Sequence, residues 1–235
     1  YDLNNLTIGV LGGHSALDVC HGAKKYGFKT LAVCQRGREK TYGEYYRTRE
    51  NKGCVDDVVV LERFDEVLKE DVQAELWKRN TIFVHNRYFW VYFDFEKVEQ
   101  AFMLPLFGSR SLVKLEERDA VGNQYELLEK AGIRMAGVLR KTGEKLSDEG
   151  LKERMDEHFK GGGVPLLVKA QELTRKYERD YFVITGFDDY RKERELRISS
   201  GKSTAGIIDG AMIEFFVVGA LVNLNFFYSP LNDEL

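Results

Sequence analysis

"TIGVLGGHSALDVCHGAKKYGFKTLAVC", Thr7 to Cys34, decides how the first part of the chain folds. Thr7 to Leu11 is a short apolar run of strand character, and Ala16, Val19, Cys20 and Ala23 then recur at helical spacing. Gly27 closes that helix, and Lys29 to Cys34 makes a second apolar strand. Strand, helix and strand in so short a stretch form a βαβ unit with a right-handed parallel crossover. Its first loop, Gly12-Gly13-His14-Ser15, opens beyond the carboxyl end of the strand, where open α/β sheets bind their ligands. The free N–H groups of the helix start suit an anion, and Ser15 is placed to cap the helix. A dinucleotide fingerprint is not formed, because Gly9, Gly12 and Gly13 are followed by no glycine before Gly22.

Working outward, Val55 to Leu61, Thr81 to His85 and Leu104 to Gly108 read as three further strands, with helices over Phe64 to Arg79 and Phe95 to Phe102. The expectation is a small doubly wound parallel sheet. From Leu112 the texture changes. A charged helix, Val113 to Lys130, is followed by an amphipathic one that Ser147 caps and that carries Leu151, Met155 and Phe159 on one face. Strands then fall at Pro165 to Lys169 and Tyr181 to Thr185, a helix-like stretch at Asp188 to Arg197, and paired strands at Met212 to Val218 and Leu221 to Phe227. This second part is α+β. The chain as a whole is expected to be α/β, with one domain over 1–111 and another over 112–235.

Composition narrows the function. With 235 residues, 43% of them hydrophobic, the chain can bury real cores, and a net charge of −3 spread along it argues against a general nucleic-acid surface. No run approaches the roughly 20 apolar residues of a membrane span, and no basic-then-apolar leader opens the chain, so a cytoplasmic location is expected. The chain begins with Tyr1 and stops soon after Leu221 to Phe227, a strand that needs partners, so a longer natural chain is expected. Cys20, Cys34 and Cys54 read as small apolar residues, and the histidines and cysteines share no metal-ligand spacing.

The candidate site residues lie at strand ends. His14 is one. His85-Asn86-Arg87-Tyr88 follows the fourth strand and opens onto the same edge. Among the basic groups, Lys24-Lys25, the run Arg36-Gly37-Arg38-Glu39-Lys40 and Arg110 stand out, the last two following strands. Lys169 is either a snorkelling strand end or a phosphate contact. Glu214 is either an edge-strand acid or a functional one. His21 and His158 read as structural or solvated.

Taken together, "TIGVLGGHSALDVCHGAKKYGFKT", "PLFGSR", "LLEKAGIR" and "IEFFVVGALVNLNFFYSPLNDEL" resemble the archaeal-type formate-dependent 5-formaminoimidazole-4-carboxamide ribonucleotide synthetases, ATP-grasp ligases of purine biosynthesis. The resemblance implies a pre-ATP-grasp domain followed by ATP-grasp subdomains, the last incomplete. It implies joining of formate to the amine of 5-aminoimidazole-4-carboxamide ribonucleotide, with ATP split to ADP and phosphate through formyl phosphate. His14 would contact the ribonucleotide, with the helix N–H groups at Ser15 nearby; Asn86 or Tyr88 would replace the family's serine contact. Lys169 would meet the α and β phosphates of ATP, and Glu214 to Val217 would form the hinge on the adenine edge. The family's glycine-rich loop after the lysine is not matched by Ala170 to Arg179, where Arg175, Lys176 or Arg179 would cover the phosphates, and Phe215 replaces a second hinge acid. Mg²⁺ ligands are expected beyond residue 235, with no metal site inside the chain, so the chain alone is expected not to turn over. A symmetric homo-oligomer is implied, with no nucleic-acid or membrane partner. The alternatives are an ATP-grasp ligase for another acid or amine, and a non-catalytic nucleotide-binding paralogue.

Overall fold

Short runs rich in Val, Ile and Leu make the five parallel strands of the first sheet: β1 Thr7–Leu11, β2 Lys29–Gln35, β3 Asp57–Leu61, β4 Thr81–Val84 and β5 Leu106–Phe107. Their order is β3-β2-β1-β4-β5. The computed structural model describes residues 1–50, 52–108, 110, 115, 121–171, 179–220, 228, 229 and 231–234. Two compact units are formed, Tyr1–Ile133 and Arg134–Leu235. The boundary expected near Leu112 lies outside the described residues, as does the strand expected at Leu221 to Phe227.

In the first unit the pleat sends alternate residues into two layers. Leu11, Leu31 and Val33 pack with Phe64, Leu76, Phe83 and Phe102. Val10, Ala32 and Cys34 pack with Ala16, Cys20 and Tyr42. The helices are α1 Ala16–Lys25, α2 Glu70–Lys78, α3 Tyr88–Val91, α4 Phe95–Ala101 and α5 Gln124–Lys130. A sheet covered on both faces is the doubly wound arrangement expected. The chain proceeds from β1 through β2 to β3 on one side, then returns to the other side at β4. The crevice at the carboxyl ends of β1 and β4 is therefore the switch point where ligands of such sheets bind.

Several expected boundaries move. Phe64 to Arg79 is not one helix: a 3₁₀ stretch, Phe64–Leu68, ends at Lys69, whose extended backbone (φ −68°, ψ 139°) restarts the chain as α2. The Glu66 carboxylate causes the early turn by accepting from the backbone N–H groups of Glu62 and Arg63. Val113 to Lys130 is not one helix either. Asn123 is extended (φ −60°, ψ 167°) and caps a fresh start, its side chain accepting from the N–H groups of Tyr125 and Glu126. Val55 belongs to an isolated bridge with Arg47 rather than to β3.

The second unit has an antiparallel sheet ordered β6-β9-β7-β8, built from β6 Val138–Arg140, β7 Leu166–Gln171, β8 Arg179–Ile184 and β9 Met212–Phe215. Helices α6 Asp148–Lys160, α7 Phe187–Ser199 and α8 Ala205–Asp209 complete it. Ser147 caps α6 as expected, its Oγ accepting from the Gly150 N–H at 3.1 Å. Leu166, Val168, Ala170, Phe182, Ile184 and Ile213 face Leu151, Met155, Tyr190 and Ile208 in the core. Lys169 and Glu214 fall on the alternate face. No helix among the described residues is long and apolar enough to cross a membrane.

Two charged groups are locked into this unit. Arg140, 2% exposed, donates to the carbonyls of Ala211 (2.9 Å) and Ile208 (2.7 Å), satisfying the end of α8. Asp180, also 2% exposed, accepts from Arg197 Nε at 2.8 Å and Lys202 Nζ at 2.7 Å, tying β8 to α7 and its exit. The Arg197 guanidinium lies 3.9 Å from the Phe182 ring centroid and is itself largely buried. Asp180→Ala removes the carboxylate shared by Arg197 and Lys202 and leaves Arg197 with Glu193, and chemical denaturation of the chain is expected to show a loss of about 1–3 kcal/mol.

Candidate functional site

The carboxyl edge of the first sheet is built from the exits of β1, β2 and β4. After β1 the backbone passes Gly12 and Gly13 to His14, which is exposed. Ser15 takes a left-handed conformation (φ 63°, ψ 5°) at the start of α1, and its side chain makes no capping bond. Its Oγ instead lies 2.9 Å from His14 Nδ1, so the expected cap is replaced by a contact that orients the imidazole. With Ser15 as donor, His14 Nε2 carries the proton and can donate; with the roles reversed, Nε2 accepts.

The glycines answer to packing. A Cβ at Gly13 would lie 1.8 Å from the Tyr88 ring, and one at Gly12 would lie 2.7 Å from Cys34 Sγ and 3.0 Å from the Tyr42 ring. The space over this loop is filled by aromatic side chains rather than kept open for a ligand. Burial pushes the Cys34 thiol and the Tyr42 phenol up to about 12, so both stay protonated.

After β4, Asn86 is buried and its amide is spent on the backbone: Nδ2 donates to Leu11 O at 2.8 Å, and Oδ1 accepts from Tyr88 N–H at 3.0 Å. Asn86 thus ties the exit of β4 to the exit of β1. Tyr88 and Tyr92, four apart across α3, present their hydroxyls together. Arg38, exposed in the turn after β2, donates to Tyr88 Oη at 3.0 Å and to Tyr92 Oη at 3.1 Å. Its guanidinium sits 5.6–5.9 Å from the ring centroids of Tyr92, Tyr88 and Phe64. His85, half-buried beside Gly108, has its pKa pushed down by desolvation, so it is neutral at pH 7. The sequence singled out His14, Asn86, Tyr88 and Arg38 but missed Tyr92 and Tyr42. The signal for Tyr92 was its four-residue spacing from Tyr88.

A cavity of about 500 Å³ lies at the other end of this sheet, lined by Lys29, Asp57, Arg79 and Asn80. It stands at the strand starts, and Arg79 there is held by Asp57 and Glu75. Ion pairs thus account for Arg79 and Asp57 there.

In the second unit, Lys169 and Glu214 form an ion pair, with side chains only 15% and 11% exposed. The Lys169 ammonium also lies 5.7 Å from the ring centroid of Tyr181, its cross-strand neighbour. Glu214 is not on an edge strand, since β9 runs between β6 and β7. The strand ends at Phe215, short of Val218. Beyond it Phe216 N–H donates to Pro165 O, while Phe215 N–H donates to Gly137 O. Among the described residues the Val217 N–H has no such bond. The Phe215 ring packs against Gly137 and against His158, whose Nε2 meets Val164 O at 2.7 Å, so His158 is structural. The Arg179 side chain and residues 172–178, with Arg175 and Lys176, lie outside the described set. Among the described residues no three His, Cys, Asp or Glu side chains converge as metal ligands.

Comparison with known proteins places this geometry. A family model described as "Protein of unknown function (DUF1246)" matches residues 8–139, which holds the whole first sheet and its carboxyl edge. The chain belongs to that family. Beyond the DUF1246 match, a curated relative from Methanothermobacter thermautotrophicus, named 5-formaminoimidazole-4-carboxamide-1-(beta)-D-ribofuranosyl 5'-monophosphate synthetase, is 29% identical over 236 residues, covering 100% of this chain and 57% of the relative. The chain thus spans little more than half the length of that relative. The crystal structure of an IMP biosynthesis protein, PurP, from Thermococcus kodakaraensis aligns with 96% of the chain and 55% of its own at TM-score 0.55 and 22% identity. That of N5-carboxyaminoimidazole synthetase from Staphylococcus aureus, complexed with ADP, aligns with 90% and 47% at TM-score 0.54 and 14% identity. The chain shares with both structures a fold in which a parallel sheet is followed by an antiparallel one.

Two outcomes follow from the edge. Gly13→Ala forces the Tyr88 ring aside and is expected to lower stability by about 1–3 kcal/mol. In a Tyr88→Ala background the same change costs clearly less, which a double-mutant cycle of unfolding free energies reads directly. For His85 the folded pKa lies below its ordinary 6.5, so the unfolded chain binds more protons at mildly acid pH. Stability from this group is complete above pH 6.5 and is lost as pH falls toward and through the folded pKa. His85→Gln should flatten that part of a stability–pH curve.

Proposed function

We propose that the protein to which this chain belongs is an ATP-grasp ligase that formylates 5-aminoimidazole-4-carboxamide ribonucleotide with formate, releasing ADP and phosphate, in cytoplasmic purine biosynthesis. The observation that carries it is the pairing of two features in a chain resembling such synthetases. One is a histidine held at the switch point of a doubly wound sheet. The other is a buried lysine–glutamate pair on the face of an antiparallel sheet opposite the core that α6, α7 and α8 cover.

In this proposal the first unit binds the ribonucleotide. His14, oriented by Ser15, meets the carboxamide-imidazole, and the helix start supplies N–H groups nearby. Asn86 holds the loop rather than the ligand, and Tyr88 contributes its hydroxyl. The second unit takes ATP. Glu214 pairs with the Lys169 ammonium and places it for the α and β phosphates, and the adenine edge pairs at Val217, since the N–H groups of Phe215 and Phe216 are already used in the sheet. Arg179 is proposed to cover the phosphates. The chemistry is two displacements: a formate oxygen attacks the γ-phosphorus and ADP leaves, then the amine nitrogen attacks the formyl carbon, losing its proton as phosphate leaves. Positioning and charge neutralisation supply most of such a rate. Mg²⁺ supplies that neutralisation in ligases of this kind, and the described residues offer it no cluster of ligands.

A different amine acceptor is favoured by one observation, that Asn86, one of the two candidates for the expected serine contact, is spent on Leu11 O and Tyr88 N–H. With the full-length protein, ADP release measured by a coupled assay is expected only when formate and the ribonucleotide are both present. ADP release indifferent to either sinks the proposal, and release with other amines alone supports the second. His14→Ala should weaken ribonucleotide binding about tenfold while leaving ATP binding unchanged.

A further inference from the structure

We propose that Arg38 receives the 5'-phosphate of the ribonucleotide at the carboxyl edge of the first unit, with Tyr88 and Tyr92 as positioning residues that hold its guanidinium for that task. This rests on the function proposed above and adds the group that would recognise the phosphate.

Arg38 differs from its neighbours in what it is bonded to. In the same unit Arg36 pairs with Glu62, Arg63 with Asp65, and Arg79 with Asp57 and Glu75. Among the described residues no carboxylate pairs with Arg38; its partners are two neutral phenols. The adjacent Glu39 carboxylate is engaged with the Gly37 N–H instead. The positive charge of Arg38 is therefore not cancelled, yet the side chain is already ordered by two hydrogen bonds and three aromatic rings. Much of the entropy of fixing a long side chain is already lost before any ligand arrives.

Donor count and placement point the same way. A guanidinium carries five N–H donors, and only one on each terminal nitrogen is used here, so Nε–H and two others remain. The Tyr88 hydroxyl accepts from Arg38 and keeps its own O–H for an anion's oxygen. A fork of this kind suits the tetrahedral oxygens of a phosphate. The Tyr88 ring lies against Gly13, next to His14, so Arg38 is one tyrosine ring away from the residue proposed to meet the base. A nucleoside monophosphate spans such a separation.

The test uses the full-length protein and calorimetric titration with three probes: the ribonucleotide, the corresponding riboside without phosphate, and ATP. Arg38→Ala is expected to weaken the ribonucleotide about tenfold or more and to leave the riboside and ATP within about twofold. Arg38→Lys, which keeps the charge but loses the fork, should fall between. Tyr92→Phe, which removes a hold on Arg38 and no proposed ligand contact, should weaken the ribonucleotide about threefold in the wild-type background, and not at all in the Arg38→Ala background. Equal weakening of ribonucleotide and riboside overturns the proposal, and so does weakening confined to ATP, which would place the recognised phosphate on the other nucleotide. Wild-type protein that ignores both ribonucleotide and riboside overturns the ligase function itself. Ribose 5-phosphate then replaces them, and its binding must weaken in Arg38→Ala for the phosphate role to stand.

Discussion

The ring of Tyr88 occupies the volume that any side chain at Gly13 would need, and the carboxyl edge of the first sheet is organised around that contact. The contact fixes the ring, the ring fixes its hydroxyl, and the hydroxyl holds Arg38. From the other side, the Tyr88 backbone is held by Asn86, whose amide reaches across to Leu11 at the end of β1. Two loops far apart in sequence thus behave as one rigid piece. A charge placed through packed rings and buried amides is placed more firmly than one on a free loop, which is what recognition of a small ligand requires.

In the second unit the same question, what a buried charge is for, has different answers on the two faces of the sheet. Arg140 and Asp180 are spent on local structure: one satisfies carbonyls at the end of α8, the other anchors cations from α7 and its exit. Each would be costly to lose, and neither is left with much to offer a ligand. Lys169 and Glu214 lie instead on the face away from the helices, paired with each other across neighbouring strands. A buried ion pair is a poor way to gain stability, because desolvation offsets most of the attraction. Apolar residues at both positions would serve the fold at least as well, so the pair is better explained by what it can do for an anionic substrate.

The legible parts of this sequence are those where a periodic pattern is enough. The βαβ unit, the doubly wound sheet and the Ser147 cap all follow from residues close in sequence. The misreadings come where a distant or competing group decides. Glu66 captures the N–H groups of Glu62 and Arg63 and starts a short 3₁₀ turn, which stops where Lys69 is extended; Asn123 starts a fresh helix by capping it. Gly12 and Gly13 resemble a phosphate loop in one dimension, but the rings that require them, Tyr42 and Tyr88, arrive from elsewhere in the chain. Glu214 looks like an edge acid until the order β6-β9-β7 is known, and antiparallel order is not written in any single strand.

Electrostatics at the carboxyl edge narrows the kind of ligand it can take. His85 is held neutral by desolvation and Tyr42 protonated by burial, so two groups that could carry charge do not. His14 offers a donor or an acceptor, according to the role its other ring nitrogen takes with Ser15. Arg38 keeps its charge because phenols, not carboxylates, hold it. A guanidinium uncancelled by any carboxylate among the described residues, beside groups that burial keeps neutral, suits a molecule whose body is neutral and whose charge is gathered at one end. A nucleoside monophosphate has that distribution. A triphosphate does not: its charge extends along the chain, and neutralising it calls for several cations. The monophosphate role proposed for the first unit therefore draws its support from how charge is distributed along that unit's carboxyl edge.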